Sequence, residues 1–165
     1  MIKHILVAVG HDANCQALQS AIKLARENNA HISVVHVVDW MPRFILAESQ
    51  DFGALINCLE EQGREVVAEV TQKLNESGCR GEAHMITLSV QEFTVGKAIA
   101  SFARKVDADL IVLGQTRSSF WRWFQEDVSS EVRQHAVTPL HVTGSNAKRA
   151  VRSIWRPFAR LAVSQ

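Results

Sequence analysis

The chain has 165 residues, 47% of them hydrophobic and 21% charged, with only three prolines; this fits one packed domain of the usual ~100 to 150 residues and excludes a disordered or collagen-like chain. No apolar run approaches the ~18 to 20 residues of a membrane-spanning helix, and the first residues lack the pattern of a secretory leader. The cysteines Cys15, Cys58 and Cys79 are too few and too widely spaced for a disulfide framework or a zinc site, so a cytoplasmic setting is expected. The net charge of +1 hides an asymmetry: residues 144–165 carry Lys148, Arg149, Arg152, Arg156 and Arg160 and no acid, leaving 13 basic against 17 acidic side chains in residues 1–143.

In chain order, Lys3 to Val9 is an almost unbroken apolar run rich in β-branched residues, the pattern of a strand buried on both faces of a parallel sheet. Ala17, Leu18, Ala21, Ile22, Leu24 and Ala25 then recur at helical spacing, with Asp12 or Asn14 placed to cap and Asn28-Asn29 at the far end. His31 to Val38 repeats the buried-strand pattern, and Asp39 to Gln50, with Pro42, reads as a loop. Phe52 to about Asn75 is a long amphipathic helix in which Gly63 is an expected weak point and Gly78 the stop. Glu82 to Leu88 suits a third strand, Gln91 to Val106 a helix, and Ala108 to Leu113 a fourth strand ended by Gly114. Asp127 to His135 reads as a short helix, Pro139 to Thr143 as a last strand, and Lys148 onward as a helical tail kinked at Pro157.

This βαβαβαβαβ order predicts an α/β fold: an open, mostly parallel five-stranded sheet with helices on both faces, over residues 1–143, plus a C-terminal tail over 144–165. Ligands of such sheets bind beyond the carboxyl ends of the strands where the strand order reverses, which directs attention to the loops at 10–14, 39–50 and 114–126. None of the sequences GxSxG, GxxxxGK[ST] or GxGxxG is present. Seven histidines occur without an HxH or HxxxH pair, so no metal site is expected. Cys15 and Cys58 are read as core or half-buried thiols. The chain is expected not to be an enzyme.

The segments ILVAV at 5–9, HVVD at 36–39, ADLIVLG at 108–114 and SSEVRQHAVTPLHV at 129–142 stand in the same order and at similar spacing in the universal stress protein family. The chain resembles that family over about residues 2–143. The resemblance implies an adenine-nucleotide-hydrolase-like, Rossmann-like sheet, a homodimer formed through the last strand, and a role in stress survival or signalling; many members bind ATP and others do not. In the ATP-binding members a glycine, two residues, a second glycine, nine residues, a third glycine and then Ser or Thr surround the phosphates. Here Gly114 matches the first glycine, Arg117 stands at the second, and Glu126 and Asp127 fall at the third glycine and the hydroxyl position, in a loop one residue shorter. The aspartate that such members carry after strand one is replaced by Gly10, followed by His11 and Asp12.

On this resemblance the expected role is a non-catalytic stress-response or signalling regulator with a degenerate nucleotide site, no cofactor, and ATP disfavoured. The alternative is a small-molecule module or weak ATPase of the same fold, with Asp12, Val38, Gly114, Arg117 and Ser129 forming an altered nucleotide pocket. A third reading is an adaptor docked through its tail. Arg117, Ser118 and Ser119 suit an anion, but a solvated loop is favoured because Glu126 and Asp127 lie near. The aromatic cluster Phe120, Trp121, Trp123 and Phe124 is assigned to packing within the loop or a dimer rather than to a protein or lipid partner. Expected partners are a second copy through Pro139 to Thr143 and an unidentified protein, not nucleic acid. The basic tail, with Val151, Ile154, Trp155, Phe158 and Leu161 opposite its arginines, is read as docking on the acidic body in preference to a membrane surface.

Overall fold

The computed structural model describes residues 2–13, 15–39, 52–88, 94–114 and 128–143. Most of the 39–50 and 114–126 loops, with Arg117, the aromatic cluster, Glu126 and Asp127, and the whole 144–165 tail lie outside the described residues.

Five strands, β1 (His4–Val9), β2 (His31–Val38), β3 (Gly81–Thr87), β4 (Leu110–Gly114) and β5 (Leu140–Thr143), form one parallel sheet in the order β3-β2-β1-β4-β5. Among the described residues, four helices connect them: α1 (Gln16–Asn28), α2 (Phe52–Ser77), α3 (Val95–Lys105) and α4 (Val128–His135). The unbroken apolar runs follow from this architecture, because successive side chains of a strand point to opposite faces and here both faces are covered. Ile5, Val7 and Val9 of β1 pack with Ile32 and Val34 of β2 against Ala17, Leu18 and Ala21 of α1 and Val66, Val70 and Leu74 of α2. Leu6 packs from the opposite face with Val35, Ile111 and Leu113 against Ile99, Phe102 and Ala103 of α3 and Val132 of α4.

The helix ends follow local chemistry. Asn29 ends α1 with φ of 52°, a left-handed conformation that asparagine tolerates, and Gly78 follows α2 with φ of 66°. Thr94 caps α3, its hydroxyl accepting from the Lys97 amide at 3.3 Å. The start of α1 differs from expectation: the N-cap position falls beyond Asp12, and Asn14 lies outside the described residues. Cys15 occupies the N-cap position in an extended conformation without a side-chain cap. Cys58, expected to be core or half-buried, is instead exposed on α2, while Cys15 and Cys79 are half-buried.

Asp109 fastens the opposite end of the sheet. Its Oδ2 accepts from the backbone amides of Lys3 at 2.7 Å and His4 at 3.0 Å, so the starts of β1 and β4 are joined before their ladder begins at Ile5 and Leu110. The Lys3 amide bond, followed by the His4 amide bond and the Lys3 charge, holds this carboxyl below its ordinary 3.8 against an opposing desolvation. Asp109→Ala is expected to cost about 1 kcal/mol at neutral pH, charge-assisted bonds being discounted here for solvent screening. Because the folded value is the lower one, this stabilisation is present above pH 3.8 and is lost as pH falls through the folded value. Urea denaturation at neutral and acidic pH checks both statements: the gap between wild type and variant should narrow below pH 3.8.

Candidate functional site

The chain runs from β1 to β2 and β3 on one side, then returns to β4 and β5 on the other, so the strand order reverses between β1 and β4. In parallel sheets such a switch point, at the carboxyl ends of the strands, is where ligands bind. The ends of β2, β1 and β4 stand side by side there and present Val38, Gly10 and Gly114.

Of the residues singled out in sequence, Asp12 is exposed in the turn after β1, Val38 is buried as the last residue of β2, and Gly114 is the exposed last residue of β4. Ser129 lies half-buried in the first turn of α4, the helix that follows β4. The fold places these four at the carboxyl end of the sheet; Arg117 lies outside the described residues. The Val38 carbonyl already accepts from the Leu88 amide at 3.1 Å, which leaves it one lone pair for any further donor.

Two helix ends contribute polarity. The first turn of α1 contains no acid, Cys15 offers it no side-chain cap, and a Cβ placed at Gly114 would meet the Ala17 Cβ at 3.8 Å. The positive end of the α1 dipole therefore adjoins the end of β4. At α4, Glu131 in the first turn sits 3.4 Å from the Thr94 hydroxyl and 3.5 Å from His135 Nε2, which ties the starts of α3 and α4 together and places a carboxylate near the α4 entrance.

His36, Gly63 and His11 were not singled out as site residues in sequence. His36 is 3% exposed, and its Nδ1 lies 3.2 Å from the Val9 carbonyl and 3.1 Å from the Gly10 carbonyl. A carbonyl only accepts, so Nδ1 carries the hydrogen and donates to both. The His11 ring meets the His36 ring edge-on, with centroids 5.6 Å apart. Burial chiefly, with the neighbouring His11, holds the His36 pKa below 6.5, although the two carbonyl bonds oppose this. His36 is accordingly a neutral donor at physiological pH. An open cleft of about 470 Å³ adjoins His11 and is lined across α2 by Gln62, Glu65, Val66 and Glu69.

Gly63, expected to weaken α2, is where the helix touches the sheet. A Cβ at this position would lie 2.7 Å from Met85 Sδ, 3.0 Å from Val38 Cγ2 and 3.2 Å from His36 Cδ2. The strand parity that puts His36 on the same face as Val34 and Val38 was available in sequence, but the closeness of α2 was not. Among the described residues no three His, Cys, Asp or Glu side chains converge to hold a metal ion.

The sequence model of the universal stress protein family matches residues 1–144. A universal stress protein of Methanocaldococcus jannaschii is 28% identical over 141 residues, spanning 85% of this chain and 80% of that protein. A universal stress protein of Lactobacillus plantarum has the same fold, with a TM-score of 0.65 at 21% identity over 86% of this chain and 97% of its own. A universal stress protein of Archaeoglobus fulgidus, solved in complex with dAMP, aligns with a TM-score of 0.58 at 23% identity over 86% of this chain and 98% of its own.

The crowding around residue 63 yields a direct prediction. Gly63→Val should destabilise the protein by about 2 to 3 kcal/mol, since a branched side chain overpacks the site and gains little helix propensity in return. Urea denaturation measures this, and a double-mutant cycle with Met85→Ala should recover part of the loss through the shared contact.

Proposed function

The chain belongs to the universal stress protein family, and from that premise we propose that it is a non-catalytic stress-response or signalling regulator whose switch point takes an adenine nucleotide weakly. The observation that carries this reading is the side-by-side arrangement of Gly10, Val38 and Gly114 at the β1/β4 reversal, in a fold shared with the relative solved in complex with dAMP. The end of β2, with the Val38 side chain buried against α2, offers backbone groups to a base, and the α1 N-terminus beside Gly114 favours an anion. Asp12, Val38, Gly114, Arg117 and Ser129 are the residues proposed to form the altered pocket.

Weakness follows from the departures read in sequence. Arg117 and Glu126 replace two glycines that let backbone amides approach phosphates, Asp127 replaces a hydroxyl, and Gly10 replaces a carboxylate. Glu131 adds a further negative charge one turn into α4. Titration calorimetry with magnesium-ATP and with dAMP at physiological salt is expected to give dissociation constants well above the micromolar range, and phosphate release from ATP should not exceed background. Micromolar affinity for ATP, or turnover, contradicts the reading.

Restoring the missing carboxylate provides a second test. A Cβ at Gly10 meets no atom within 4 Å, and the Gly10 backbone is not left-handed, so Gly10→Asp should leave stability within about 0.5 kcal/mol. If the strand-one carboxylate makes one charge-assisted hydrogen bond to the ligand, worth about 1.5 to 3 kcal/mol, dAMP affinity should rise roughly tenfold to 100-fold.

The proposal includes a two-fold dimer across β5. This strand is an edge of the described sheet, and the Ile111 amide donates to the Pro139 carbonyl at 2.9 Å. Alternate residues of a parallel ladder face the same neighbour, so the backbone groups of Leu140 turn toward the outer edge. Val137, three residues before the strand begins at Leu140, is 96% exposed. Val137→Glu would set like charges together if a two-fold axis passes nearby; sedimentation velocity should show a dimer for the wild type and a shift toward monomer for the variant.

A further inference from the structure

We infer that His36 is a positioning residue for the β1–α1 loop: donating from Nδ1 to the carbonyls of Val9 and Gly10, it fixes where Gly10, His11 and Asp12 stand over the switch point. The inference rests on the reading above that this crevice is the ligand end of the molecule. Val9 is the last β1 residue paired with β2, and Gly10 lies one residue beyond the ladder. The imidazole thus secures the chain where the sheet's own hydrogen bonds stop, and it does so from the neighbouring strand. It is held from behind, because Gly63 lets α2 approach until only the absence of a Cβ separates the helix from His36 Cδ2, Val38 and Met85. One close-packed unit therefore sets both the end of β2, where Val38 is proposed to meet a base, and the loop that replaces the strand-one carboxylate.

The unit is sensitive to charge. The His11 ring lies against His36, Asp12 follows His11 in the same turn, Asp39 follows β2, and Glu65 and Glu69 of α2 face His11 across the cleft. Glu60 of α2 accepts from the Thr87 hydroxyl of β3 at 2.7 Å, and Arg64 pairs with Glu61 on the exposed side of the helix. A proton added to His36 would sit buried beside His11, so the sandwich favours the neutral ring. Protonation would fall on Nε2 and leave the Nδ1 hydrogen in place, so acid does not remove the donor but adds a buried charge; the folded pKa being the lower one, that cost is absent above pH 6.5 and grows as pH falls through the folded value.

The test compares His36→Leu, which removes the donor, with His36→Asn, whose side-chain amide keeps a donor near the position of Nδ1 and does not titrate. Amide hydrogen exchange of residues 10–13, corrected for intrinsic rates, is measured on the full chain from neutral pH to pH 5, together with dAMP affinity. Wild-type protection should fall as the pH drops below 6.5. His36→Leu should exchange about tenfold faster at neutral pH, and His36→Asn should regain most of the protection with a flat pH profile. A folded His36→Leu protein with unchanged loop exchange overturns the inference, as does a His36→Asn protein that loses protection as fully as the leucine variant. If the leucine variant does not fold, the nitrogen-15 shifts of the wild-type His36 ring serve instead: the tautomer with hydrogen on Nδ1 is expected, and the tautomer with hydrogen on Nε2 alone overturns the inference. Absence of dAMP binding in every form refutes the nucleotide reading while the exchange data still decide the positioning role; equal dAMP affinity with a released loop overturns that role.

Discussion

β1 is paired on both sides and covered on both faces, and the rest of the molecule is arranged around that constraint. Its neighbours β2 and β4 both run parallel to it, so each connection must cross over a face of the sheet. Right-handed crossovers in the leftward direction place α1 and α2 on one face, and those on the return place α3 and α4 on the other. The reversal beside β1 is therefore a consequence of pairing one six-residue strand on both sides and covering it on both faces. It also fixes the dimensions of the crevice: the ends of β2 and β4 are separated by two inter-strand spacings, about 10 Å, with the end of β1 between them.

Burial on this scale leaves polar groups inside, and their partners tie the sheet together. Ser33 is fully buried and its Oγ lies 2.8 Å from His4 Nε2; Thr143 donates to the Leu113 carbonyl at 3.1 Å. His36 does the same work at the other end of β1, toward the crevice. Each bond crosses between strands, so each opposes fraying at a place where the ladder thins. Asp109 is the exposed counterpart, joining the strand starts with a charge-assisted pair of bonds.

Much of this was legible in the residues. The runs at Lys3 to Val9 and His31 to Val38 announce doubly covered strands, and β2 has the expected limits. Asn29 and Gly78 mark helix ends by their tolerance of positive φ, and the fold that the family segments imply is the one observed. What escaped depends on tertiary proximity. Asp12 and Asn14 have cap chemistry, yet α1 begins at Gln16 with Cys15 in the N-cap position. Gly63 carries a helix-interior penalty in any single helix, and only the nearness of Met85, Val38 and His36 explains it. Cys58 belongs to a stretch of α2 whose apolar spacing does not reveal which cysteine faces water. His36 could be placed on a buried face by parity, but its bonds to Val9 and Gly10 needed the register of β1 against β2.

The proposed weakness for nucleotides is a balance rather than an absence of features. A helix dipole at α1 and backbone groups at three strand ends favour an anionic ligand bearing a planar base, while the substituted glycines, the acids at 126, 127 and 131 and the missing carboxylate at residue 10 oppose it. The most direct test is a residue-resolved nitrogen-15 chemical-shift map during titration with dAMP. The account predicts fast-exchange shifts at high ligand concentration, concentrated at residues 10–13, 38–39 and 114. Slow exchange at stoichiometric ligand, or shifts gathered away from the carboxyl ends of β1, β2 and β4, would contradict it.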